Sequence, residues 1–417
     1  MAGKISLAAP ALPTSRIESI DMLRGVALLG ILVLNIQTFA MPYEAYTDPT
    51  AYGDLSGANY WVWFFTHLFG DMKFMAIFSM LFGAGIVLLF DRLESTGRKA
   101  TAIHYRRMGW LFLFGLIHAY AIWYGDILVS YALCGLWVIW LRKLQPIWLL
   151  VIGLFVLAVS SVLMGGTGLL LMALPEDQAA EAMASDMTPA ESISWQLETY
   201  RSGWLAQLEH RIPSSLLFQT LVFVFFTFWR ASGLMLIGMA LYRWGLFSGK
   251  ASTKVYGALL LVGILVGIPI IWWGMELKWD AGWEKIRSEF LFAQFNYWGS
   301  ILVALGWVAL VMLFVRAGLL TWFQHALACV GRMALTNYLL QSMVCTLIFY
   351  GHGLGHFGTF ERVEQVLLVL VVSVCQLIWS PLWLSWFRFG PFEWLWRSLT
   401  YWSIQPIRRR PPVVPGT

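Results

Sequence analysis

Charge is what this chain has little of: lysine, arginine, aspartate and glutamate together make up 12% of its 417 residues. A soluble domain carries about 25%, so a water-exposed globule is excluded. Cysteine is nearly as scarce. Cys134, Cys329, Cys345 and Cys375 all fall in or beside apolar stretches, with no CxxC spacing and no paired loop cysteines. That pattern excludes a disulfide framework and a structural zinc site, and leaves packing as their role. The chain also lacks an HExxH helix, a Walker loop and a GxSxG elbow in the setting each requires. Ten-residue alternating segments are missing too, which excludes a transmembrane barrel.

What is present is apolar: 59% of the residues are hydrophobic, with 24 Trp and 28 Phe. Continuous apolar runs occur at about 20–40, 60–90, 108–124, 127–141, 147–173, 214–242, 255–275, 291–315, 328–350 and 364–387. They predict an all-α polytopic membrane bundle of about ten transmembrane helices. The third and fourth are short and joined by the tight turn Trp123-Tyr124-Gly125-Asp126, which predicts an antiparallel hairpin. The first run is too long for a signal-peptide core and contains Arg24 and Asn35, so it reads as a retained span.

The cations set the expected orientation. With the N-terminus inside, twenty of the 28 lysines and arginines fall on inner segments, and most of the 23 acids fall on outer ones. This is the asymmetry of the positive-inside rule, with both termini cytoplasmic. The net charge of +5 therefore reads as topology, and no nucleic-acid partner is expected. Residues 1–173 form a five-helix half. Residues 174–212 form an acidic, helix-prone outer loop with Trp195 and Trp204 suited to the interface, and 213–403 form a second five-helix half. Within that half, 390–402 reads as an interfacial aromatic helix; beyond it, 404–417 reads as a disordered basic tail. The halves share no sequence repeat, so similarity does not support an inverted-repeat transporter.

Against this apolar background the ionisable residues stand out. Arg230 sits midway along the run Ser214–Tyr242, which is about 40 Å long as a helix. A guanidinium there costs at least about 2.5–3.5 kcal/mol unless it faces a wet or paired interior. The embedded charges are therefore expected to converge on a polar interior.

Near the inner end, Asp21 and Arg24 are spaced for a same-face ion pair. This is either a structural flank or part of an anion site. His67 and Asp71 share a helix face if Gly70 does not break it, so Asp71 can hold the imidazole tautomer; an outer polar network fixing helix contacts is the plainer reading. Lys73 points elsewhere on an unbroken helix, and Gly83 and Gly85 suit close helix approach. His118 lies eleven residues past Arg107, about 16 Å deeper, and Asp126 follows at the outer turn on roughly the same face. His118 is then an interhelical hydrogen-bonder or, with the basic inner mouth at Arg106 and Arg107, a proton acceptor. Asn337 and Gln341 read as interhelical glue. His352 and His356 sit among glycines, and no metal is expected there.

These residues also carry a resemblance. The opening Asp21-x-x-Arg24-Gly25 with Asn35, the stretch from Lys73 to Gly83, His118 with Trp123-Tyr124-Gly125-Asp126, Gly331-Arg332 with Asn337-Tyr338, and Gly390-Pro391-Phe392-Glu393 resemble the YeiB-like family. These are bacterial inner-membrane proteins carrying domain of unknown function 418, and the resemblance runs nearly end to end. More distantly, the Asp-x-x-Arg-Gly opening is similar to the transmembrane acyltransferases, among them heparan-α-glucosaminide N-acetyltransferase. That resemblance implies transfer of an acyl group from cytoplasmic acyl-CoA, acetyl-CoA first, to an extracytoplasmic small-molecule or glycan acceptor by way of a membrane histidine. In the polysaccharide enzymes an arginine precedes a histidine near the far end of the first span. Here Asn35 lies there instead, so His118 or His67 must supply the base.

On this view Arg24, Arg106 and Arg107 hold the coenzyme phosphates, with Asp21 and Lys73 in the same binding set. His118 acts as general base or accepts the acyl group, Asp126, His67 and Asp71 position the acceptor, and Arg230 stabilises an oxyanion or neutralises an acid. The same buried charges serve equally in a proton-coupled transporter or exporter of a small solute. A third possibility is a structural membrane partner. The lipid bilayer is the expected surrounding, and a homodimer is compatible with the sequence.

Overall fold

The computed structural model describes residues 17–97, 99–183 and 187–409. Lys4, Arg16, Arg98 and Arg410 lie outside the described residues, as does the tail beyond 409. The described residues are helical almost throughout, because runs this apolar can satisfy their backbone groups in a bilayer only within the segment itself.

Taking the cation-rich side as inner, α1 (Glu18–Ala40) rises outward and leads to the short α2 (Glu44–Thr47). Helices α3 (Gly57–Phe69) and α4 (Lys73–Glu94) return inward as one interrupted span. The expected hairpin is α5 (Ala100–Ile117), extended by the π-helical turn His118–Ile122, and α6 (Leu128–Val138), which ends in the 3-10 turn Ile139–Leu141. Helix α7 (Pro146–Ala173) crosses outward to α8 (Glu176–Ala182) and α9 (Pro189–Arg201). The chain re-enters through α10 (Leu208–Gln219), a π-helical turn at Phe223–Thr227 and α11 (Phe228–Arg243).

Helices α12 (Thr253–Val262) and α13 (Ile268–Asp280) flank the π turn Gly263–Gly267, and another, Arg287–Phe292, leads into α14 (Ala293–Ala317). At the inner side lies α15 (Thr321–Arg332), followed by α16 (Ala334–Phe349), α17 (Arg362–Trp386) and α18 (Pro391–Tyr401). Seven helical segments are long and apolar enough to cross a membrane, and Leu128–Leu141 and Ala334–Phe349 are shorter apolar helices. With α5 they make a polytopic helical bundle of ten segments.

Helix α1 is central, burying Leu23, Ala27, Leu28, Leu32 and Ile36. The tightest approaches use glycine. A Cβ on Gly83 would run into the Met235 carbonyl of α11, and one on Gly238 into the Met80 carbonyl of α4. Such small-residue contacts let backbones touch where lipid gives no hydrophobic drive. Gly331 likewise seats against the Asp21 carbonyl, and so holds α15 to α1. Outward-facing Phe155, Val162, Leu265 and Trp273 are exposed, as a lipid-facing surface should be.

Three expectations are corrected. The run expected as one span over 60–90 breaks at Gly70–Met72, where Met72 takes a left-handed φ of 64°. The run at 328–350 divides at Met333, where α15, packed against α1, ends and the separate apolar helix α16 begins. Residues 404–409, expected at the head of a disordered tail, run back beside 386–388: the Arg388 N–H donates to the Ile407 carbonyl at 2.8 Å and the Arg409 N–H to that of Trp386 at 3.1 Å.

Candidate active site

His118 opens the π-helical turn that ends α5, and that widened turn swings the chain into Trp123–Ile127 before α6 begins. The detour carries Asp126 back over the imidazole, with its Oδ1 2.9 Å from His118 Nδ1. The other carboxylate oxygen accepts the Val129 N–H at 2.8 Å, in the first turn of α6. Gly115 makes room, since a Cβ there would meet Asp126 Oδ2 at 2.9 Å and the Val129 nitrogen at 2.6 Å. On the far side of the ring, His118 Nε2 lies 2.9 Å from Ser342 Oγ on α16. Trp123 and Tyr338 wall the imidazole, at centroid distances of 6.2 and 5.0 Å. His118 is fully buried, and the Asp126 side chain is 1% exposed.

Carboxylate, imidazole and hydroxyl therefore stand in series. Asp126 accepts from Nδ1–H, which fixes the tautomer and leaves Nε2 free to take a proton. Chemically, a series of this kind can serve as a nucleophile beside a general base that is oriented by an acid.

The second group gathers at the break between α3 and α4. Asp71 accepts the Tyr46 hydroxyl at 2.8 Å and the Asn296 amide at 2.7 Å, with His67 Nδ1 3.4 Å away. Because the backbone is broken, Lys73 turns into the same nest instead of pointing elsewhere. Its Nζ donates to the His67 carbonyl at 2.6 Å and to Asn296 Oδ1 at 2.7 Å. An open apolar groove of about 410 Å³, lined in part by Gly70, Phe74 and Trp307, runs beside the break.

Arg230 is buried between α11 and α14. It donates to the Tyr297 carbonyl at 2.9 Å and the Ser300 hydroxyl at 2.7 Å, and stacks over the Tyr297 ring at 4.5 Å. The charge lies within electrostatic reach of Asp71, which ties it to the second group and not to the triad.

At the inner end Arg24 pairs with Asp21 at 3.0 Å. Arg107 stacks on Trp396 of α18 at 4.5 Å and lies within electrostatic reach of both Arg24 and Arg397. Arg106 faces Trp402, 6.0 Å from its ring. Lys73 does not join this mouth. It begins α4 at the opposite end from Glu94, whereas Gly85, nearer the inner end, is the position where an added Cβ would meet Arg24 Nη2 at 3.4 Å. The embedded charges thus form two separate groups and a basic mouth, not the single convergence expected.

Elsewhere, Asn337 and Gln341 bond Ser380 and Gln376 of α17 at 3.0 and 2.9 Å. Ser342 and Asn296 escaped the sequence reading, because a serine or asparagine within an apolar run carries no signal of its own. The separation of 224 residues between His118 and Ser342 closes only in the fold.

Residues 241–403 match the family described as "Protein of unknown function (DUF418)". Along almost its whole length the chain is 36% identical to "Uncharacterized protein YeiB" of Escherichia coli (strain K12), over 93% of this chain and 97% of that protein. The chain belongs to the YeiB-like DUF418 family. It is also 32% identical to "Uncharacterized protein YxaH" of Bacillus subtilis (strain 168), over 97% of this chain and 99% of that one. No solved structure matches it. Within the DUF418 stretch lie Asn296 and Ser342, whereas His118, Asp126 and Arg230 precede it and are covered by the full-length relatives.

Proposed function

We propose that this protein is an integral membrane acyltransferase of the bacterial cytoplasmic membrane. It takes an acyl group, acetyl first, from cytoplasmic acyl-CoA and delivers it to a hydroxyl or amine of an extracytoplasmic small molecule or glycan. The observation that carries this reading is the Asp126–His118–Ser342 series, with 2.9 Å on both sides of the imidazole.

An acyl transfer needs a proton acceptor whose free nitrogen is fixed, and Asp126 supplies that constraint. The basic mouth suits the donor: guanidinium forks from α1 and α5 hold phosphate oxygens by charge-assisted bonds. A hydrogen bond to a charged group is worth about 1.5–3 kcal/mol. Arg24→Gln or Arg107→Gln therefore raises the KM for the coenzyme thioester by about ten- to a hundredfold and leaves kcat little changed. The test is transfer from radiolabelled acetyl-CoA by the purified protein in liposomes. Saturable use of donor supplied at the inner face supports the reading; no donor use at any concentration defeats it.

One observation favours a second reading, transport of a small solute: the broken helix at Gly70–Met72, with Asp71 and Lys73 beside the unwound backbone. Discontinuous helices are how many transporters place a site at bilayer depth. Under this reading, liposomes holding the protein move an unmodified solute, and Asp71→Asn abolishes the movement.

A further inference from the structure

We propose that Ser342 carries the acyl group as a covalent ester, so that transfer runs in two half-reactions. This deepens the acyltransferase reading and rests on it.

A helical serine ordinarily gives its hydroxyl to the carbonyl one turn back. Ser342 has that option in the Tyr338 carbonyl, at 3.3 Å, but the imidazole nitrogen is nearer, at 2.9 Å. With Nδ1–H given to Asp126, Nε2 is the acceptor, and the hydroxyl proton has a base waiting for it. Ser342 is 1% exposed and lies mid-way along α16, while His118 is about 16 Å deeper than Arg107 along α5. A coenzyme held by its phosphates at the basic mouth and an acceptor on the outer side need not then occupy the site together. The ester bridges them. Trp123 and Tyr338 around the imidazole keep bulk water from a bound acyl group.

In the first half-reaction Ser342 Oγ attacks the thioester carbonyl carbon while His118 Nε2 takes the hydroxyl proton. The carbon–sulfur bond breaks, the serine ester forms, and the proton passes from Nε2 to the departing thiolate. In the second, an acceptor hydroxyl or amine attacks the ester and gives its proton to Nε2. The Ser342 oxygen leaves and recovers that proton. Nothing is oxidised or reduced, and the enzyme returns unchanged.

The experiment incubates the purified wild-type protein in liposomes with [1-14C]acetyl-CoA and no acceptor, and in parallel with a fluorescent fluorophosphonate. The expected result is label approaching one acetyl per chain, stable to denaturation at neutral pH and released by hydroxylamine. Peptide mapping places both it and the fluorophosphonate on Ser342. S342A loses both labels and cuts transfer by about 10²–10⁴-fold. S342C, kept as a folded nucleophilic control, takes the acetyl group as a thioester.

If the wild type transfers acetyl and S342A transfers it equally well, the serine ester is wrong and acyl transfer stands. Label on His118 in place of Ser342 also overturns it. Fluorophosphonate on Ser342 with no use of acetyl-CoA keeps the serine as nucleophile and removes the donor assignment. Absence of both labels from the wild type overturns both.

Discussion

Asp126 spends both carboxylate oxygens, one on the His118 imidazole and one on the Val129 N–H. Asparagine has only one oxygen, so Asp126→Asn gives up one of these partners. The expected outcome is a fall in acetyl transfer of about 10²-fold or more. A buried group left unsatisfied adds a loss of about 1–3 kcal/mol in stability, read from thermal melts of the detergent-solubilised protein. At the other polar group, Lys73→Met leaves the Asp71 carboxylate short of a buried neighbouring cation. Asn296 bridges the two, accepting from Lys73 and donating to Asp71, so losing the cation leaves buried polar groups short of a partner at a cost of about 1–3 kcal/mol, and adding Asp71→Asn should restore part of it. A double-mutant cycle on the melting transition checks this: strict additivity would mean that the two charges do not compensate one another.

Among the elements, the apolar runs were legible from the sequence because a bilayer demands length and composition that few other contexts allow. The break at Gly70–Met72 is half legible: Gly70 offers a breaker, but glycine is tolerated inside membrane helices and nothing local marks Met72 for a left-handed turn. The direction of Lys73 follows from that break and is hidden from the sequence for the same reason. Ser342 lay beyond local inference because its partner sits on another helix. The close approaches were partly legible: Gly83 was expected to admit a neighbouring helix, and the Met235 carbonyl fills that space. Overpacking of this kind costs about 1–3 kcal/mol, so Gly83→Ala should melt lower. Gly109→Ala, where a Cβ meets nothing within 4 Å, should melt at the same temperature or slightly higher. Equal melting of the two variants would remove the α4–α11 contact from the stability account.

For the whole molecule, the cation bias predicts the orientation: most cations fall on inner segments and most acids on outer ones. In a Cys375→Ala background, with the remaining three cysteines buried, a cysteine at Ser194 should react with a membrane-impermeant maleimide in intact cells. One at Ser95 should react only after the membrane is opened. The reverse pattern would invert the bundle and place the arginine mouth outside. Orientation matters to the chemistry because it sets which side feeds the triad.

The most direct measurement is therefore sided acetyl transfer in sealed proteoliposomes of uniform orientation. Acetyl-CoA is offered on the face bearing Arg24 and Arg107, and the acceptor on the opposite face. Wild type should pass label across while His118→Ala, folded by its melting curve, passes none. Undiminished transfer by His118→Ala would contradict the account.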